Sequence, residues 1–349
     1  MSVVPRNNTQ GLSLGGLEAS LLSLPVLVGV ALLSIIGAAA YLPLFDLDEG
    51  AFSEATREIL ASGNWVSTYL NGEPRHDKPI LIYWFQASSV LLFGHEPWAY
   101  RLPSMLVAVV WVFAVYRFSR EFYNERSARL AVWVLAVSLV ASSIFKAATA
   151  DALLNCLINL IFFDIYRYYC KPEQKQLYKI GLYMGLAFLT KGPIGVLLPL
   201  MAAFLCFAYL GRLALFFRAV FDPRAWATVL LVITPWHIAV YLDQGMDFFE
   251  GFYLGHNLGR YGQTMEGHGG SPLYYVLLLP VLLAPFSVQF FRLFREIKIA
   301  KNIDIDKVDA LTVYLLTWFG LTLLLFSFSE TQLPHYLLYG MTPVFLLVA

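Results

Sequence analysis

Charge is scarce in this chain. Only 14% of its 349 residues are Asp, Glu, Lys or Arg, against 58% hydrophobic and 16% aromatic, a balance outside that of water-soluble domains. Cysteine is scarcer still. Cys156, Cys170 and Cys206 lie in or at the ends of apolar runs without paired spacing, which excludes a disulfide framework and a cysteine metal knuckle. There is no Gly-rich phosphate loop, no HxxxH or HExxH pair and no nucleic-acid signature, so nothing points to a nucleotide or nucleic-acid partner.

What the sequence does have is membrane-length apolar runs. A helix needs about 20 apolar residues to span a bilayer, and such runs fall near 20–44, 97–116, 129–147, 151–169, 179–192, 193–211, 225–242, 271–291, 310–328 and 335–349. The pattern predicts an all-α polytopic membrane protein. The first run exceeds the roughly 7–15 residues of a signal-peptide core, so it reads as an uncleaved span. The apolar segment Pro79 to Gly94 is shorter and follows a charged loop, which predicts a juxtamembrane helix lying along the surface.

The 24 Lys and Arg are spread unevenly. Seventeen fall in the N-terminal segment and in alternate loops at 117–129, 167–179, 212–224 and 292–307. By the positive-inside rule these are cytoplasmic, as is the N-terminus. The opposite, outer side carries seven: Arg57, Arg75, Lys78, Arg101, Lys146, Lys191 and Arg260. Charges held near a membrane surface against this rule point to a site on that face.

That face also receives the stretch Phe45 to Trp84, in which seven of the 24 acids are packed: Asp46, Asp48, Glu49, Glu54, Glu58, Glu73 and Asp77. Two outer loops, 45–97 and 243–270, could enclose the site. The second is rich in glycine and aromatics and reads as an irregular functional loop. Asp48 and Glu49 follow the first span directly, and partial desolvation there would make a carboxylate a better general base. The following 52–61 reads as a surface helix. Asp151 stands at a tight outer turn, either as a helix N-cap or as a second carboxylate facing Asp48. Lys78, Arg260 and Tyr336 at the outer boundary would form a phosphate clamp of ammonium, guanidinium and phenol. Lys191, in LTKGPIG, marks a turn on the same face, either as a charge holding the turn out of the bilayer or as part of the site.

Several ordered segments carry a resemblance: FDLDEGAFSEATREILASGNW, LNGEPRHDKPILIYW, FGHEPWAYRLPS, ATADALL, LTKGP, HNLGRYG and FSETQLPHYLLYGMTPVFLLVA. Together they resemble the lipid-carrier-dependent glycosyltransferases related to the lipid A aminoarabinose transferases and, more distantly, the protein O-mannosyltransferases. The resemblance implies a GT-C helical bundle over the whole of 1–349, with an outer cavity for a polyprenyl-phosphate sugar. It implies that Asp48 is the essential loop aspartate, Asp151 the second aspartate, and Lys78, Tyr336 and Arg260 the carrier-phosphate contacts. It also sets Asp77 and His256 where aminoarabinose transferases hold a divalent metal, zinc or magnesium, with Asp in place of the family's Glu. The family continues past this point into further spans and an outer soluble domain, so the chain is expected to be truncated.

The expected function is transfer of a sugar from an undecaprenyl-phosphate-type donor to lipid A, another glycan or protein, with inversion, on the periplasmic side of a bacterial inner membrane. The alternatives are a lipid or glycan flippase and an inactive relative that binds polyprenyl lipid.

Overall fold

The computed structural model describes residues 20–45, 47–259, 270–299 and 309–349. Helices dominate it, in the order α1 (Leu24–Ile36), α2 (Asp48–Ser62), α3 (Leu81–Phe93), α4 (Pro97–Phe122), α5 (Glu125–Val137) and α6 (Leu139–Ile144). They continue with α7 (Asp151–Cys170), α8 (Gln174–Lys191), α9 (Ile194–Tyr209), α10 (Leu213–Val220) and α11 (Pro223–Gln244). The last are α12 (Tyr274–Leu282), α13 (Ser287–Ile299), α14 (Ala310–Ser327) and α15 (Met341–Val348). A two-residue hairpin, β1 (Tyr69–Leu70) with β2 (Glu73–Pro74), pairs antiparallel across Asn71-Gly72. Both turn residues have positive φ, the conformation a tight hairpin requires.

Start signals are local. Asn124, Asp222 and Asp309 each accept a backbone N–H from the first turn of α5, α11 and α14, at 2.8–2.9 Å, which satisfies donors the helix cannot. The bundle forms around α7, which is buried along nearly its whole length. Phe163 stacks on Phe118 of α4 at 4.1 Å, and Phe162 stacks on Trp318 of α14 at 3.8 Å. Helix α8 packs on α7 and α11, and its approach to α11 depends on small residues: a Cβ at Gly181 would sit 2.6 Å from the Ala225 carbonyl oxygen, and one at Gly185 2.8 Å from the Val232 Cβ. Close backbone approach through glycine is how helices gain dispersion contacts without a hydrophobic driving force.

Large apolar side chains are fully out in the open, among them Leu33, Leu231, Leu242 and Leu277 at 73–79% exposure. A belt of that kind is matched by lipid, not water. Three described helices, α4, α11 and α14, are long and apolar enough to cross a bilayer. The chain is a membrane protein. Asp164, the acid inside a predicted span, lies 2.8 Å from Arg167 at the basic end of α7.

Four expectations change. The predicted span 271–291 is broken by a turn at 283–286, between α12 and α13. The predicted span 129–147 is broken at Ser138, where α5 ends and α6 begins. The run at 335–349 opens as a 3-10 helix, Pro334–Gly340, before α15. The loop at 243–270, expected to be irregular, is helical as far as it is described: a turn at Asp247–Phe249 runs into a π-helix, Glu250–Leu258. Its aromatics explain the difference, since Phe248, Phe249, Phe252 and Tyr253 form a stacked cluster that needs helical spacing. The segments expected to be helical at 52–61 and 79–94 lie within α2 and α3, and α3 buries most of its first three turns against the bundle.

Candidate active site

Six of the seven outer cations lie among the described residues, and each has a partner. Arg57 pairs with Glu54 and Arg75 with Asp77 on the surface stretch. Lys146 donates to the Ser34 carbonyl at 2.9 Å, tying α1 to the turn after α6. The other three, Arg101, Lys191 and Lys78, define two different arrangements.

The first is a closed one. The Glu49 and Arg101 side chains are 2–3% exposed and meet in a fork, with Arg101 Nε donating to Glu49 Oε1 at 2.9 Å and Nη2 to Oε2 at 2.6 Å. Glu49 Oε1 also accepts the Ala148 N–H at 2.6 Å, and Oε2 the Phe45 N–H at 2.9 Å. Arg101 spends its remaining donors on the carbonyls of Ala39, Leu42 and Pro43. Every lobe of the pair is used to fasten the end of α1, the start of α2, α4 and the turn before α7 to one another.

The second borders a cavity. Asp151 is the first residue of α7, not its N-cap, which is Ala150. Its carboxylate is 7% exposed and turns inward: Oδ1 accepts from Lys191 Nζ at 2.6 Å and from the Tyr339 hydroxyl at 2.5 Å, while Oδ2 accepts from Thr149 Oγ1 at 3.2 Å and lies 3.6 Å from His335 Nε2. Lys191 closes α8, where Gly192 has φ 79° and a Cβ would come 2.4 Å from the Phe252 ring. Glycine is required there twice, for the left-handed turn and for the close approach. The Lys191 ammonium also lies 2.8 Å from the Tyr339 hydroxyl and 4.8 Å from the centre of the Tyr336 ring.

Tyr336 and Tyr339 share a face because they are three apart in a 3-10 helix, where i and i+3 eclipse. Their rings stack 6.1 Å apart, and Trp318 of α14 holds the Tyr339 carbonyl at 2.7 Å. Across from them, Lys78 Nζ donates to the Asp77 carbonyl at 3.1 Å and lies 2.8 Å from His256 Nε2 on the π-helix. Lys78, Lys191, His256, Asn257, Tyr336 and Tyr339 thus line one cavity with about 540 Å³ of empty space. It holds two ammonium groups, one of them balanced by Asp151.

Asp77 sits beside this cavity. Burial alone would raise its pKa, but the Lys78 and Arg75 cations outweigh that cost and hold the carboxyl below its ordinary value. Asp48 is exposed in the first turn of α2 and does not line the cavity. One turn on, at a spacing that shares a helix face, Phe52 stacks on Tyr83 at 5.4 Å and carries the Arg75 guanidinium 5.3 Å from its ring centre. By helical spacing Asp48 shares the face of α2 on which Arg75 covers Phe52. Arg260 lies outside the described residues.

The metal expectation at Asp77 and His256 does not fit this arrangement. A metal needs the His256 Nε2 lone pair, but the Lys78 ammonium stands 2.8 Å from Nε2, and Asp77 is paired with the Arg75 guanidinium through Oδ2, at 2.7 and 3.1 Å. Among the described residues no three His, Cys, Asp or Glu gather into a metal-binding group.

One participant, Tyr339, is not singled out by the sequence, although its i+3 spacing from Tyr336 is a usable signal. The pairing of Glu49 with Arg101, 52 residues apart, left no local trace.

Superposition on solved structures decides the fold. ArnT from Cupriavidus metallidurans bound to undecaprenyl phosphate aligns with a TM-score of 0.82 over 93% of this chain and 59% of that one, at 22% identity. The chain has the GT-C fold. The apo oligosaccharyltransferase of Archaeoglobus fulgidus aligns more loosely, with a TM-score of 0.58 over 95% of this chain and 49% of that one, at 12% identity. In sequence, the family model for dolichyl-phosphate-mannose-protein mannosyltransferase matches residues 77–238. The undecaprenyl phosphate-alpha-4-amino-4-deoxy-L-arabinose arabinosyl transferase of Aeromonas hydrophila is 28% identical over 321 residues, which are 88% of this chain and 56% of that protein. The protein of the same name from Yersinia pestis is 26% identical over 338 residues, 92% of this chain and 58% of that protein. The chain resembles the GT-C lipid-carrier-dependent glycosyltransferases, and spans little more than half the length of these relatives.

Proposed function

We propose that the chain acts as a glycosyltransferase that moves a sugar from an undecaprenyl-phosphate-type donor to an acceptor on the face opposite its basic loops, the periplasmic side of a bacterial inner membrane. The observation that carries this reading is the cavity in which the ammonium groups of Lys78 and Lys191 stand with Tyr336 and Tyr339. The arabinosyl transferases it resembles are named for an undecaprenyl phosphate sugar, which supports the same donor class here.

The chemistry follows from the leaving group. In the donor the phosphate is a diester with one negative charge; when the bond from the anomeric carbon to the phosphate oxygen breaks, the polyprenyl phosphate leaves with a second. A cation 4 Å from that oxygen contributes about 4 kcal/mol at an effective dielectric of 20, so two ammoniums and a phenol hydroxyl can carry the departure without a general acid. Lys78 and Tyr336 meet the phosphate; Arg260, the further contact that the resemblance implies, lies outside the described residues. Lys191 contributes its charge while Asp151 and Tyr339 fix its position. The acceptor oxygen attacks the anomeric carbon from the opposite face and its proton passes to the Asp48 carboxylate, which predicts inversion. Glu49, through Arg101, sets the orientation of α2 and hence of Asp48. No step is routed through a metal. Lipid A, a second glycan and protein are the candidate acceptors.

The test is transfer of radiolabelled sugar from polyprenyl-phosphate donors in membranes containing this chain, with Asp48→Asn as control and the anomeric configuration of the product determined. Inverted product that disappears with Asp48→Asn is expected. Retained configuration, or transfer indifferent to Asp48, would overturn the mechanism.

A further inference from the structure

Four polar side chains surround the Asp151 carboxylate. Lys191 and Tyr339 donate to Oδ1, while Oδ2 accepts from Thr149 Oγ1 at 3.2 Å and has His335 Nε2 at 3.6 Å. His335 lies in the first turn of the 3-10 helix that carries the two tyrosines, its ring edge-on to that of Tyr336 at 5.0 Å. Its side chain is 19% exposed, so water can bring it a proton. Of the four types of group, only an imidazole ordinarily changes charge between pH 5 and 8.

That change would reset the charge balance of the site. Arg75 and Asp77 cancel each other, Lys146 is turned to the Ser34 carbonyl, and the Tyr275 hydroxyl donates to the Leu333 carbonyl. What remains around the cavity is Lys78, with His256 against it, and Lys191, with Asp151 against it. With both imidazoles neutral, two ammoniums and one carboxylate leave one net positive charge, which matches the phosphodiester of a donor. The leaving phosphate carries two negative charges. A proton on His256 would set a second positive charge against the Lys78 ammonium, 2.8 Å from Nε2. A proton on His335 would meet a carboxylate instead.

We propose that His335 is a positioning residue for Lys191: as an imidazolium it shares the Asp151 carboxylate through Oδ2, so that the Lys191 ammonium is no longer cancelled and acts on the carrier phosphate. The proton comes from water on the outer face. This inference rests on the reading of the cavity as the carrier-phosphate site. It makes affinity for the carrier rise as pH falls, because the protonated site holds two net positive charges in place of one.

The experiment is isothermal titration of the purified full chain in detergent with a polyprenyl methyl phosphodiester, whose single charge does not titrate between pH 5 and 8. Lowering the pH from 8 to 5 should lower its Kd about 3- to 10-fold. Binding near neutral pH should take up a fraction of one proton, read from the dependence of the heat on the ionisation enthalpy of the buffer. His335→Gln should hold the weak affinity at every pH and take up no proton, and His335→Lys should hold the tight one. A Kd indifferent to pH would overturn the proposal, as would proton uptake that survives in His335→Gln and so belongs to His256. If His335→Gln does not fold, the loss or survival of proton uptake in His335→Lys decides the matter. Failure to bind the phosphodiester at any pH would sink the carrier reading itself, and this inference with it.

Discussion

Two buried ion pairs, Glu49 with Arg101 and Asp151 with Lys191, have the same chemistry and nearly the same burial, yet they do different things. The Glu49 carboxylate takes four hydrogen bonds from three chain segments and Arg101 returns three to backbone carbonyls. Nothing is left over for a substrate. Lys191 is held by Asp151 and Tyr339 on one side while it lines a cavity on the other. A buried pair is a fastening when all its lone pairs and protons are used internally, and a candidate working group when one partner borders open space.

The largest effect expected from breaking this comparison is at the fastening. Arg101→Met leaves Glu49 buried without its counter-charge, which costs about 3–5 kcal/mol. The variant should therefore melt far below the parent in a thermal unfolding assay in detergent. Asp48→Asn, one residue from the same latch, should behave in the opposite way. It is exposed, so its melting temperature should be unchanged, while sugar transfer falls about 10²- to 10⁴-fold, the range for loss of a general base. Equal loss of stability in both variants would erase the distinction between the neighbours.

Elsewhere on the cavity, Lys78→Met should raise the Kd for polyprenyl phosphate about 10-fold or more, the equivalent of a lost charge-assisted hydrogen bond of 1.5–3 kcal/mol, as measured by isothermal titration. Tyr339→Phe removes one donor to the Asp151 carboxylate and should cost about 1.5–3 kcal/mol in stability. It should lower transfer less than Lys78→Met does. The smallest expected effect is on acid stability. The Asp77 carboxyl is held below its ordinary 3.8, so its contribution is fully present above that value and is lost as pH falls through the lower folded-state value. Melting temperature should be flat in this respect down to about pH 4 and fall below it, and Asp77→Asn should shallow that fall.

The sequence disclosed much of this because membrane insertion is a strict filter. Apolar runs of about 20 residues and alternating basic loops follow from the bilayer's thickness and its charge asymmetry, so the helices were legible. The seven cations outside the basic loops stood out too, as a set. Which of them border the cavity was not legible, since Arg101 and Lys191 look alike in sequence, each beside the end of an apolar run. The break at Ser138 and the π-helix carrying His256 were equally hidden, because both depend on neighbours distant in the chain. Apolarity, length and charge bias are sums over local segments, and the sequence by itself determined those: a helical membrane protein with its basic residues gathered in alternate loops. Pairing is a matter of which side chains α4, α7, α8 and the 3-10 turn bring within 3 Å. Only the tertiary structure decided that Glu49 is spent on a latch while Lys191 and Lys78 face a common space, because hydrogen bonds are short and directional and nothing in the order of residues fixes where a lone pair will point.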